Sequence, residues 1–256
     1  MSPARAQTGA PTALLERAMD ILGCFGPMHQ ALNLTELSEL TKLPVSTVHR
    51  IIGTLVEGGF LIKGSDRKYR VGTRLWTIAQ HAPLSDRLRE SALPTLARLY
   101  EETGENVTLA VLDRGQALYV DRIVGERSVP TISRAGGHLP LHTTGVGKVL
   151  LAFQPEEMIE KYLARPLAKP TLNSVTDPDA LRAELAEVRA RGYSVTRQEM
   201  TAGSGSIAVP IRSQGRVVAA VGVIVHMARL NESRLVASLK NAAESITREL
   251  ELARQQ

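Results

Sequence analysis

The sequence predicts an α+β protein in two folded parts: a winged helix-turn-helix, then a helical linker into a larger α+β domain. Three observations predict it. Residues 12–74 hold three helical periods, a double glycine and two short β-like runs. Residues 75–103 keep a helical pattern dense in charge. Beyond Gly104, apolar β-type runs alternate with amphipathic helical ones, as in an antiparallel sheet with helices packed on it. A length of 256 residues suits one large domain or two ordinary ones, and 43% hydrophobic with 22% charged residues is a globular composition.

Residues 1–11, MSPARAQTGAP, read as a flexible tail without the apolar stretch of a signal peptide. No apolar run approaches the ~18 residues that span a bilayer. The single cysteine, Cys24, excludes an intramolecular disulfide and points to the cytoplasm; its apolar surroundings predict a buried, inert thiol.

Leu14, Ala18, Ile21, Leu22 and Phe25 mark one face of a first helix, stopped by Gly26 and Pro27. Thr35 is the expected N-cap of a second helix carrying Leu37 and Leu40. After a turn at residues 41–43, Pro44 suits the first turn of a third helix. Val48, Ile51, Ile52, Leu55 and Val56 form its buried face, and Gly58–Gly59 end it.

The outer face of the third helix then holds Ser46, Thr47, His49, Arg50, Gly53 and Thr54, small or hydrogen-bonding residues with no acid among them. A helix entering the DNA major groove needs such a face. Phe60–Ile62 and Lys68–Val71 read as two strands around a turn at residues 64–67, a basic wing whose Lys63, Arg67 and Lys68 reach phosphates or the minor groove. Between residues 42 and 74 stand seven basic and two acidic residues, an excess equal to the net charge of +5. On charge alone, that local patch is either the footprint of a polyanion binder or an ordinary solvated face.

In the linker, Leu88, Leu93, Leu96 and Leu99 alternate with charges, and Pro94 is expected to kink or split the helix. In the second domain, VTLAVL and ALYVDRIV flank a hairpin turn at residues 113–116, and SVPTISRA follows. A loop and helix come next at 136–153, then a helix with Leu181, Leu185 and Val188. YSVTRQ, SIAVPI and VVAAVGVIV are strands, and Leu235, Leu239, Ala242, Ile246 and Leu250 mark a closing helix. Gly145 and Gly147 open an apolar helix. Their backbone N–H groups and the positive helix end make either an anion site or a tight turn needing glycine.

Other motifs point away from enzyme chemistry. Residues 203–208, GSGSIA, mimic a dinucleotide fingerprint, but a strand containing Pro210 follows where that motif needs a helix. Gly147–Lys148 is followed by Val149, not the hydroxyl residue of a phosphate loop. Six scattered histidines and one distant cysteine predict no metal site, and no serine sits in a nucleophile elbow.

The segments RAMDILGCF, LTELSELTKLPVSTVHRIIGTLVEGGFL, KYRVGTRL, GGHLPLHTTGVGKVLLAF, RGYSVTRQEM and GSGSIAVPI stand in an order and spacing that resembles the IclR family of bacterial transcription regulators, over roughly residues 12–254. The resemblance implies a GAF-like effector-binding domain at 104–254, no cofactor, and a homodimer or dimer of dimers on near-palindromic double-stranded operator DNA. It implies control, more often repression, of a catabolic operon. Carried over position by position, the family's pocket falls on Leu139, Gly145, Val146, Thr196 and Ser206, with Thr131 and Ser204 as wall residues. Family members that bind small keto acids carry an acid where Thr196 stands and a cysteine where Ser206 stands. The two hydroxyls imply a pocket without fixed charge and a different ligand, a carboxylate- or amide-bearing aromatic. His142 and Glu199 either contribute or brace the loop. The alternative is a stand-alone sensor or enzyme whose first domain serves only association.

Overall fold

A computed structural model describes residues 11–26, 28–81, 88–125, 129 and 132–253. The chain divides into two compact units, Met1–Ala82 and Pro83–Gln256.

The first unit holds α1 (Pro11–Gly23), α2 (Leu34–Thr41), α3 (Val45–Glu57), β1 (Leu61–Lys63), β2 (Tyr69–Val71) and α4 (Thr73–Ala79). Ile21, Leu32, Leu37, Val48, Ile51, Ile52, Leu61 and Tyr69 close one core, so the helical periods and the inward strand positions meet as the pattern requires. The N-cap of α2 is Asn33, not Thr35. Asn33 Oδ1 accepts from Glu36 N at 2.9 Å, and Glu36 Oε2 accepts from Asn33 N at 2.7 Å. This capping box satisfies two otherwise orphaned donors at once, which a cap at Thr35 does not. The α2–α3 turn is fixed by Ser38 Oγ donating to Leu43 O at 2.6 Å and by Lys42 in the left-handed region. β1 and β2 pair antiparallel with Ile62 opposite Arg70; Phe60 and Lys68 lie outside the strands. Cys24 is half-buried rather than buried, and burial raises its thiol pKa, which keeps it a weak nucleophile.

The second unit is a three-layer α+β domain. Its sheet runs β5 (His138–Leu139), β4 (Gln116–Ile123), β3 (Asn106–Asp113), β8 (Arg216–His226), β7 (Ser204–Ser213), β6 (Ser194–Arg197), antiparallel throughout. Two-residue turns join β3 to β4 and β7 to β8, with both central residues at positive φ: Arg114 and Gly115, Gln214 and Gly215. That is the turn whose twist matches a hairpin. No strand forms over the described part of SVPTISRA; β5 completes the edge instead. α5 (Glu90–Thr103) and α9 (Glu232–Leu252) cover one face over a Val- and Ile-rich core. Pro94 lies inside α5 without splitting it, and the helix widens to a π-type turn at residues 88–89, which tolerates a missing donor.

α6 (Gly145–Ala152), α7 (Glu156–Leu163) and α8 (Pro178–Arg191) cover the other face. There the sheet presents Ala110, Ala117, Ala208 and Ala220. Gly222 completes this floor: a Cβ on it would stand 2.9 Å from Ile207 O and 3.1 Å from Val146 Cγ1. Small residues let α6 approach the sheet closely and leave a hollow at its N-terminal end.

Candidate functional site

In the first unit, the buried face of α3 turns Ser46, His49, Arg50, Gly53 and Thr54 to solvent, with Thr47 half-buried. No side chain caps α3; Thr47 N and Val48 N both turn back to Pro44 O, at 2.9 and 3.0 Å. On the wing, Lys63 and Arg67 are exposed. Lys63 rests over the Tyr69 ring at 5.8 Å, and Arg67 adopts φ 59° at the turn. Lys68 is 3.6 Å from Glu36. Arg70 holds Asp66 through two nitrogens at 3.0 and 2.6 Å, which drives the Asp66 pKa far below the carboxylate range. Asp66 thus cancels Arg70 and stiffens the turn, leaving Lys63, Arg67 and Lys68 as the cations the wing offers.

In the second unit, the hollow at the N-terminus of α6 takes in about 460 Å³ when the solvent-open space at its mouth is counted. The β6–β7 register places Thr196 opposite Ser206, and Ser194 opposite Ala208, all on the face beneath α6. Thr196 Oγ1 and Ser206 Oγ share a hydrogen bond of 2.6 Å, and Ser206 Oγ accepts from Gly145 N at 3.1 Å. Ser194 Oγ donates to Gly145 O at 2.7 Å, and Thr144 Oγ1 caps the helix by accepting from Gly147 N at 3.2 Å. The first-turn donors of α6 are therefore already partly used by hydroxyls of the sheet and the cap. Glycine is required at 145, where a Cβ would stand 2.7 Å from Ser206 Oγ, and at 147, where it would stand 2.5 Å from Leu141 O.

Leu139, Gly145, Val146, Thr196, Ser204 and Ser206 all line this cavity. Thr131 lies outside the described residues. The wall also contains Tyr119, Thr143, Thr144, Met200 and Glu199. Glu199 corrects the expectation of a wall without charge. Its Oε2 is 2.6 Å from Lys148 Nζ, which also meets both oxygens of Glu184 at 2.7 and 2.8 Å, and Lys148 is fully buried. Burial raises the Glu199 pKa, opposed by the Lys148 charge. His142 does not line the cavity. Its Nδ1 is 2.8 Å from Tyr162 Oη and its Nε2 2.7 Å from Ala168 O, so it braces the loop before α6. Lys148 carried a sequence signal, a lysine inside an otherwise apolar helix, which implies a buried counter-ion without saying which.

Comparison with known proteins fits both halves. Residues 14–63 match the IclR helix-turn-helix domain, and residues 81–248 match the domain described as bacterial transcriptional regulator IclR C-terminal. The chain belongs to the IclR family. It is 33% identical over 243 residues to the Pca regulon regulatory protein of Pseudomonas putida, covering 91% of this chain and 83% of that one. It is 30% identical over 241 residues to the transcriptional repressor IclR of Escherichia coli, covering 91% and 88%. Among solved structures, an IclR homolog from Microbacterium hydrocarbonoxydans complexed with 4-hydroxybenzoate superimposes with a TM-score of 0.89 at 34% identity, over 93% of this chain and 99% of that one. This IclR-family chain is a ligand-responsive, DNA-binding transcriptional regulator.

Proposed function

We propose that this protein represses a catabolic operon, and that an aromatic monocarboxylate seated in the α6 cavity sets its grip on DNA. One observation carries the ligand assignment. The paired hydroxyls Thr196 and Ser206 meet the N-terminus of α6 on a cavity wall that also carries apolar side chains. Hydroxyl donors and a positive helix end suit a carboxylate, and the Leu139, Val146, Ile207 and Val223 walls suit a flat apolar body. The aromatic acid in the related Microbacterium structure supports the same ligand class.

The cavity binds rather than catalyses. Among the described residues, no carboxylate or imidazole hydrogen-bonds to Thr196, Ser204 or Ser206, so none has the base that activates a nucleophile. Ser46, Thr47, His49 and Arg50 read bases from α3, while Lys63, Arg67 and Lys68 hold phosphates from the wing. The unit is a homodimer, or a dimer of dimers, on a near-palindromic operator with recognition helices about 34 Å apart or a multiple of that. As a DNA-acting regulator it works in the cytoplasm, and no described helix is long and apolar enough to cross a membrane.

The experiment pairs thermal shift against a panel of aromatic and small aliphatic acids with gel shift on the chain's own upstream DNA. An acid that raises the melting temperature and changes the gel shift supports the reading. DNA affinity that is weak and indifferent to salt refutes it, because phosphate contacts make affinity fall steeply with salt.

A further inference from the structure

One side chain of the cavity wall differs in kind from the rest. The polar groups around it are neutral hydroxyls, whereas Glu199, between β6 and β7, is a carboxylate. Lys148 does not belong to Glu199 alone, since both oxygens of Glu184 hold the same ammonium at 2.7 and 2.8 Å. Two carboxylates on one buried cation leave the cluster with an unmatched negative charge. Glu184 is the more exposed partner, with 22% of its side chain accessible against 7% for Glu199, so water eases the excess at Glu184 and not at Glu199. An ionised carboxylate has about four acceptor positions. Lys148 uses one. The remainder belong to a residue on the cavity wall, and in the ionised form they accept.

We propose that Glu199 determines effector specificity by accepting a hydrogen bond from an O–H or N–H group of the ligand. It thereby selects an acid with a second, donor-bearing substituent over the unsubstituted acid, its ether and a diacid. The proposal rests on the cavity being the effector site. A methyl ether would set an acceptor against an acceptor, and a site built for a hydroxyl rejects the analogue that lacks one. A second carboxylate would face Glu199 where, among the described residues, no lysine or arginine lines the cavity.

The test is calorimetric titration of the full-length protein with benzoate, 3- and 4-hydroxybenzoate, their methyl ethers and terephthalate. A hydroxy acid is expected to bind roughly tenfold or more tightly than its own ether, the scale of a hydrogen bond to a charged acceptor, with terephthalate weakest. Glu199→Gln should shrink that ratio toward one and strengthen terephthalate. If Glu199→Gln does not fold, the wild-type ratio is itself decisive, and Glu199→Asp should weaken the hydroxy acid while leaving its ether unchanged. Equal binding of acid and ether to the wild type, or an unchanged ratio in Glu199→Gln, overturns the role of Glu199 and leaves the cavity assignment standing. Binding by none of these acids overturns the aromatic-acid reading, and the proposal with it.

Discussion

His142 and Tyr162 form a neutral pair whose geometry fixes both protonation states. Tyr162 Oη accepts from Leu141 N at 3.0 Å and His142 N at 3.3 Å, so its own proton goes to His142 Nδ1. The imidazole must then carry its proton on Nε2, donated to Ala168 O. Burial holds the His142 pKa below the ordinary imidazole value, Lys148 adds to this, and the Ala168 bond opposes it. A depressed folded pKa contributes stability that is present above the unfolded value of about 6.5 and is lost as pH falls through the folded one. Urea unfolding should therefore show weaker stability at acidic pH than at neutral pH, with the decline beginning just below about 6.5. Tyr162→Phe strands two backbone donors and should cost about 2–3 kcal/mol. His142→Gln removes the titrating ring and should flatten the acid-side decline; a variant with the full wild-type decline would place the titration elsewhere. From sequence His142 reads as a contributor to the pocket or a brace of the loop, but its partners are not legible: it lies 20 residues from Tyr162 and 26 from Ala168.

Elements were more legible where local chemistry is sufficient. The hairpin at Arg114–Gly115 and the stop at Gly58–Gly59 follow from Gly115 and Gly59, which take positive φ at no steric cost. α7 was missed although Ile159, Tyr162 and Leu163 sit at helical spacing, because eight residues behind Pro155 give a weak period. Two elements yield predictions. At the wing, Arg67 occupies the left-handed region. Arg67→Gly relieves that strain but loosens the unfolded chain, so stability should stay within about 1 kcal/mol. If Arg67 meets a phosphate, operator affinity should drop and the salt slope should shrink by about 0.9 per subunit; an unchanged slope in filter binding would remove that contact. At α6, Lys148 is the tie between α8 and the β6–β7 segment. Its pairings span 36 and 51 residues, beyond any sequence period. Lys148→Ala should cost about 3–5 kcal/mol by leaving two carboxylates uncompensated, and adding Glu199→Gln should restore part of it. Additive losses in a double-mutant cycle would mean that the two groups are not coupled.

At the scale of the whole molecule, the deciding question is what covers the apolar surface of the first unit. α1 exposes Leu14, Leu15 and Met19, and α4 exposes Trp76 and Ile78, with Leu15 60% and Trp76 66% accessible. Neither helix spends these residues on its own core, which is built from Ile21 and the α2–α3–wing residues. Large apolar side chains left in water on two helices of a DNA-binding unit suit a second copy of that unit, and a two-fold pair matches a near-palindromic site. Sequence periodicity shows Leu14 as an inward position, yet it stands 42% exposed. A helical period names an apolar stripe without saying whether its own chain or a partner buries it. Light scattering should give a dimer or tetramer for the wild type. Trp76→Arg and Leu15→Arg should shift that mass toward the monomer without unfolding the protein. The same variants should lose operator affinity by about 10²-fold or more, because a second half-site reached within one assembly acts at millimolar effective concentration. Their thermal shift with a bound acid should persist, since the cavity lies within the second unit. Monomeric variants with undiminished operator affinity would mean that one helix and one wing suffice. Variants that keep the wild-type mass would mean that this apolar surface is not the interface.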